Sequence, residues 1–173
     1  VVAQPCQLER SDDFGKHAVD FRFSLVADID DEDRAWIAID EVGEENGCMR
    51  VIPGSHKGSH LLKHHTNTAK DLTLNQELDA DQYDEADAAD IILKPGQMSF
   101  HDINMVHGSR HNTSDRRRAG YVLRFMPATS HFDRSLGNQL GAKSGVVDFT
   151  QRALYLVRGE DKAANDLKIG HAH

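Results

Sequence analysis

The stretch from Gly96 to Phe125, GQMSFHDINMVHGSRHNTSDRRRAGYVLRF, concentrates residue types that bind metals and anions. It holds His101, His107 and His111, and the run Arg116-Arg117-Arg118. Neutral imidazole is the commonest protein metal ligand, and guanidinium is the side chain best shaped to grip a carboxylate through two parallel hydrogen bonds. Between the two groups lie the turn formers Asn112-Thr113-Ser114-Asp115. An antiparallel hairpin centred between Asn112 and Thr113 sets His107 opposite Arg118, and a one-residue slip sets it opposite Arg117. Directly opposed side chains have Cβ atoms about 5 Å apart, so a metal ligand would stand beside a fixed cation. A dicarboxylate could then chelate the metal with one end and meet the arginine with the other. His101 and His107 are six residues apart, which is ~20 Å on a straight strand and too far for one metal. Spacing alone does not separate a metal ligand from an ordinary hydrogen-bonded histidine.

These side chains need a frame, and the surrounding sequence predicts one made of strands. Ala35-Trp36-Ile37-Ala38-Ile39 is a short apolar run, Glu44-Glu45-Asn46-Gly47 is a turn signal, and Cys48 to Ile52 reads as the returning strand of a β-hairpin. Pro53-Gly54-Ser55 closes it. Ala89 to Leu93, Met98 to His107 and Ala119 to Met126 read as further strands, with a tight turn at Lys94-Pro95-Gly96-Gln97. Strands at short spacing with turn chemistry between them suggest a β-sandwich or barrel. Val19 to Asp28 fits strand or helix equally. Residues 56–78 read as loop with some helix, and the tail beyond Ala128 as turns and short apolar pieces. The absence of repeats and low-complexity linkers predicts one domain over residues 1–173.

Bulk properties exclude several classes. A formal net charge of −8 opposes binding to nucleic acid or anionic membranes, and three consecutive arginines do not make a binding stripe. No apolar run approaches the ~20 residues of a membrane span, and Val1 to Pro5 has no signal-peptide character. The two cysteines, Cys6 and Cys48, form no Cys-x-x-Cys pair, which suggests reduced thiols in a cytoplasmic protein. Eleven histidines are a compositional hint of metal chemistry. The acidic stretch Asp79 to Asp90 fails as a calcium loop, because Asp84 stands where that loop needs glycine. Gly54-Ser55-His56-Lys57-Gly58 has neither the serine placement of a nucleophile elbow nor phosphate-loop spacing.

Three segments in order resemble the phytanoyl-CoA dioxygenase family. The first runs from Ala35-Trp36-Ile37-Ala38-Ile39-Asp40 through Asn46-Gly47-Cys48-Met49 to Ile52-Pro53-Gly54-Ser55-His56-Lys57. The second is Leu93-Lys94-Pro95-Gly96-Gln97 to His101, followed by His107-Gly108-Ser109. The third is Asn112 to Asp115 leading into Arg118, with Tyr121 to Pro127 beyond. The resemblance spans roughly residues 34–127, and Tyr155 to Asp161 is similar to the tail of bacterial members. It implies a mainly β fold, a double-stranded β-helix (jelly roll, cupin-like) with flanking helices. It also implies an iron(II)- and 2-oxoglutarate-dependent dioxygenase hydroxylating a C–H bond of a small organic substrate with O2. His107 matches the distal histidine of the iron triad, Arg118 the arginine that grips the far carboxylate of 2-oxoglutarate, and Trp36 and Ser109 positions lining the co-substrate pocket. The Pro53-Gly54-Ser55-His56 segment is implied to be architectural, with His56 not a ligand.

One departure bears on the iron. The family supplies two further ligands from a His-x-Asp motif shortly before the position of Trp36, and no His-x-Asp precedes Trp36 here. His17-Ala18-Val19-Asp20 has one residue too many, which on a strand turns the two side chains apart. Segments present in longer members are therefore expected to be missing before Trp36, with a junction near Asp28 to Asp31, and the intact protein to exceed 19.3 kDa. Taken at face value, the departure points instead to a degenerate, non-catalytic jelly-roll binding protein lacking the iron site. A halogenase-type relative, with a small residue for the aspartate, is a further alternative. A cupin-like isomerase or lyase would need no 2-oxoglutarate, and Arg118, Trp36 and Ser109 argue against it. Substrate and oligomeric state are not encoded in any motif present.

Overall fold

The computed structural model describes residues 23–27, 33–58, 62–67, 76–136 and 149–170. The chain is mainly β, in ten strands: β1 Phe23–Ala27, β2 Asp33–Ala38, β3 Met49–Val51, β4 His64–Thr66, β5 Gln76–Leu78, β6 Ala89–Ile91, β7 Met98–Asp102, β8 His107–Ser109, β9 Gly120–Pro127 and β10 Ala153–Leu156. Among the described residues, helix is confined to three 3-10 turns, Ala80–Gln82, Glu85–Asp87 and Phe149–Gln151, and to helical residues at 134–136. Among the described residues two compact units emerge, one within Trp36–Val122 and one formed by residues 23–27 and 33–35 together with residues 123–136 and 149–170.

In the first unit, β3 is the middle strand of a three-stranded antiparallel sheet ordered β6-β3-β8. The register pairs Met49 with Ser109, Arg50 with Gly108 and Val51 with His107. On the other side Arg50 faces Asp90. Residues 35–39 and 48–52 therefore do not form the expected hairpin. The turn at residues 44–47 carries the chain away from β2, whose end bonds elsewhere: Ala38 N donates to Gln97 O (2.9 Å), and Gly96 N to Ala38 O (2.8 Å). Gly47 sits at φ 77°, and a Cβ there would lie 2.6 Å from Arg110 O, so both conformation and space call for glycine. Residues 56–78, expected as loop with some helix, contain the antiparallel pair β4–β5. Two apolar clusters hold this unit: Trp36, Ala38, Val42 and Cys48 with Leu93 and Val122, and Leu78 and Val106 with Ile52, Leu62, Tyr83 and Ala88.

The expected strand Met98 to His107 is two strands. Asp102 accepts from Asn104 N through its side chain (2.6 Å) and from Met105 N through its carbonyl (3.1 Å), closing a turn between β7 and β8. Asp and Asn two residues apart are turn formers that cap their own backbone, so the break was signalled.

In the second unit, β1 lies between β10 and β9 and is parallel to both. Residues 23–27 of the stretch that periodicity left open between strand and helix are thus strand. Val26, Met126, Ala128 and Leu154 form the core, with Phe132 and Leu167 packed against it. Burying a side chain such as Leu154 contributes about 1.5–3 kcal/mol.

Candidate active site

The site is built on β8. Residues two apart on a strand share a face, so His107 and Ser109 project the same way, with Gly108 between them buried. Their Cα atoms are about 7 Å apart at strand rise. The start of β8 is pinned from the Pro53-Gly54-Ser55 turn: Ser55 Oγ accepts from Val106 N (2.8 Å), and Ile52 N donates to Val106 O (2.9 Å). This is the architectural role that the resemblance implied for the segment, with Ser55 as the residue that makes the contact. His107 Nδ1 donates to the Met105 carbonyl at 2.6 Å. That bond places the proton on Nδ1 and the lone pair on Nε2, the arrangement a metal-ligating histidine adopts.

The His101 and His107 rings lie 5.3 Å apart between centroids, tilted by 53°. The expected ~20 Å separation is overturned by the turn after Asp102, which folds β7 and β8 back instead of running them as one strand. His101 is buried and His107 half-buried.

Arg118 is not presented by a hairpin opposite His107. β8 pairs with β3, β9 begins at Gly120, and the stretch between is a loop. The loop still delivers Arg118 to β8: its Nη1 donates to Ser109 Oγ at 3.2 Å, and its guanidinium carbon lies 5.9 Å from the centroid of the Trp36 ring. The structure thus separates the two arginines that register arguments left open. Arg117 points to Asp40, donating from Nε at 2.8 Å and Nη2 at 2.7 Å, and Arg118 joins Ser109 and Trp36. Of the residues predicted to form the site, Arg118, Ser109 and Trp36 come together directly, and His107 joins them through its shared face with Ser109.

Trp36 is 8% exposed and locked in place. A Cβ at residue 120 would come within 2.1 Å of its Cζ2, so Gly120 makes room for the ring. Cys48 lines the same apolar cluster, and burial, followed by the Asp90 charge, pushes its thiol up to about 11. On the opposite face of the β6-β3-β8 sheet, buried Arg50 pairs with Asp90 (2.7 Å) and with Glu85. A buried guanidinium needs such partners, and these hold the sheet without entering the His107 face.

Among the described residues, no group of three His, Cys, Asp or Glu side chains is placed to hold a metal. His17, Asp20, Cys6, the Asp28 to Asp31 junction and the terminal histidines lie outside the described residues. The donors that are described fit half of an iron and keto-acid site: one imidazole with a fixed tautomer, and a guanidinium–hydroxyl pair suited to a carboxylate. Among the described residues, no helix is long and apolar enough to cross a membrane.

Comparison with known proteins identifies a family. The model of the family described as Phytanoyl-CoA dioxygenase (PhyH) matches residues 13–120. A Phytanoyl-CoA dioxygenase domain-containing protein 1 homolog from Caenorhabditis briggsae is 34% identical over 112 residues, covering 62% of this chain and 39% of that protein. The peroxisomal phytanoyl-CoA dioxygenase of Homo sapiens is 31% identical over 100 residues, covering 57% of this chain and 29% of that protein. Among solved structures, EvdO2 from Micromonospora carbonacea var. aurantiaca complexed with 2-oxoglutarate aligns with a TM-score of 0.47 and 31% identity, over 54% of this chain and 37% of that one. The chain thus spans well under half the length of these relatives.

Proposed function

The chain belongs to the phytanoyl-CoA dioxygenase family, and from that premise we propose that it is a non-haem iron(II)- and 2-oxoglutarate-dependent dioxygenase that hydroxylates a C–H bond of a small organic substrate. Membership brings the double-stranded β-helix with it, in keeping with the strand content of the chain. The observation that carries the reading is Arg118 bonded to Ser109, on the same face of β8 as His107. The ~7 Å along β8 between His107 and Ser109 is the scale of a five-carbon diacid held at both ends.

When bound, iron and 2-oxoglutarate supply O2 activation and oxidation of the substrate C–H bond, with succinate and carbon dioxide as co-products. His107 would hold the metal through Nε2, its orientation kept by the Met105 carbonyl. Arg118 and Ser109 would bind the far carboxylate of 2-oxoglutarate, the guanidinium by charge and paired hydrogen bonds and the hydroxyl by a further one. Trp36 supports the guanidinium face and walls off water, which strengthens every electrostatic contact inside. The buried free thiol of Cys48 suits a reducing cytoplasm, although the human relative is by name peroxisomal.

Anaerobic visible absorption during titration with iron(II), then 2-oxoglutarate, tests the reading. The expected result is a charge-transfer band that requires both additions and is lost in His107→Ala. One observation favours a second reading: no His-x-Asp precedes Trp36, as in a jelly-roll protein that binds a dicarboxylate without iron. For that protein 2-oxoglutarate would raise the melting temperature with no band at any iron concentration.

A further inference from the structure

We propose that Asp40 is a positioning residue that seats the arginine run so that Arg118, and not its neighbours, meets the carboxylate of the co-substrate. This rests on the functional reading above. Three consecutive arginines pose a sorting problem, because any of them could swing toward an anion. The loop at residues 39–46 solves it from across the fold, and Asp40 makes the central contacts.

Its carboxylate holds residues on both sides of Arg118. Oδ1 accepts from Arg117 Nη2 (2.7 Å), and Oδ2 accepts from Arg117 Nε (2.8 Å) and from Ala119 N (2.8 Å). The main chain reinforces the join, with Ile39 N and Asp40 N donating to Ala119 O at 3.0 and 3.3 Å. Asn46, fully buried, donates from Nδ2 to Arg117 O (3.3 Å) and to Glu41 O (2.8 Å), tying the same loop from its other side. The residues before and after Arg118 are thereby fixed, and the Cα between them has little freedom.

Glu41 and Glu45 each take one nitrogen of Arg116 at 2.6 Å. Those three side chains are 47–61% exposed, and exposed pairs of this kind contribute little. Asp40 differs in kind. Its side chain is 22% exposed, its pairing with Arg117 is bidentate, and it also accepts from a backbone N–H that no solvent-facing glutamate reaches. A bidentate pair adds fixed geometry as well as energy, and fixed geometry is what a carboxylate-binding arginine requires.

The test compares two keto acids on the iron(II)-loaded protein under anaerobic conditions. Both 2-oxoglutarate and pyruvate have the chelating end, but pyruvate has no far carboxylate for Arg118. Asp40→Ala is expected to weaken 2-oxoglutarate binding roughly ten-fold, the usual scale for loss of a supporting partner, and to leave pyruvate binding unchanged. Arg117→Met should weaken it in the same direction, and Arg116→Met should not. Should Asp40→Ala not fold, Asp40→Asn, which keeps the size and one acceptor, is measured in its place with the same expectation. An equal loss for both acids would assign Asp40 a general structural role and overturn the proposal, and so would no loss for either. Arg118→Met serves as the control: if it leaves 2-oxoglutarate binding intact, the functional reading itself fails, whereas a loss there without one at Asp40 removes only this inference.

Discussion

Arg118 and Arg134 each lie over an aromatic ring, the first 5.9 Å from the Trp36 centroid and the second 5.4 Å from that of Phe132. The similarity ends there. Arg134, in the second unit, donates from Nη1 to the carbonyls of Thr150 (2.9 Å) and Arg152 (2.8 Å), and from Nη2 to that of Asp166 (3.1 Å). It gathers segments distant in sequence, and burial pushes its guanidinium below the ordinary range. Arg118, in the first unit, is bonded to a serine hydroxyl, and the two arginines before it are held by carboxylates. A guanidinium surrounded by main-chain carbonyls holds a fold together. One placed beside a hydroxyl and an indole, with neighbouring arginines drawn to other partners, is suited to meeting an anion.

The contrast is sharpest in a pair of substitutions. Arg118→Met should cost at least about 2 kcal/mol of 2-oxoglutarate binding, roughly 30-fold in Kd, with little change in melting temperature. Arg134→Met should do the reverse in calorimetry, losing about 2 kcal/mol or more of stability, because hydrogen bonds from a charged group to three carbonyls disappear together. A large melting shift at Arg118, or none at Arg134, would erase the distinction.

Gly120→Ala sharpens the same point with a smaller effect. The added Cβ has to displace the Trp36 ring, at a cost of about 1–3 kcal/mol. Trp36 is the single tryptophan, so its fluorescence maximum should shift, and affinity for 2-oxoglutarate should fall with it. An unchanged emission spectrum would show that the ring has room to move and does not fix Arg118.

The smallest expected effect is on pH dependence. The hydrogen bonds from Arg117, followed in weight by an opposing burial effect, leave the Asp40 carboxyl below its ordinary value of 3.8. A carboxyl depressed in the folded state contributes stability that is fully present above its unfolded value and is lost as pH falls through the folded one. Asp40→Asn should therefore be less stable than the parent above about pH 4, with the gap closing below that. A constant gap from neutral pH down to acid unfolding would place the effect elsewhere.

Much of the frame was legible. Pro95-Gly96 ends one strand and begins another as expected, and the Asn112 to Asp115 cluster folds on itself, with Asn112 Oδ1 accepting from Ser114 N at 2.9 Å. Short-range turn chemistry is written in adjacent residues, so it can be read there. Pairing partners are not. The strand from Cys48 joins β6 and β8, and nothing local in Met49-Arg50-Val51 states that. Strand register alone left Arg117 open beside Arg118, and the resemblance named Arg118; the contact that draws Arg117 aside is made by Asp40, 77 residues earlier in the chain. The His101–His107 distance departs from the straight-strand expectation for a different reason: Asp102 and Asn104 form a turn where the apolar pattern suggests continuous strand.

The proposed site stands or falls on whether Arg118 and Ser109 receive the far carboxylate of 2-oxoglutarate. A crystal structure of the protein with iron(II) and 2-oxoglutarate, grown anaerobically, tests it most directly. That carboxylate is expected within hydrogen-bond distance of both the Arg118 guanidinium and Ser109 Oγ, with His107 Nε2 on the metal. A co-substrate bound with its far end on Arg116, Arg117 or no arginine would contradict it.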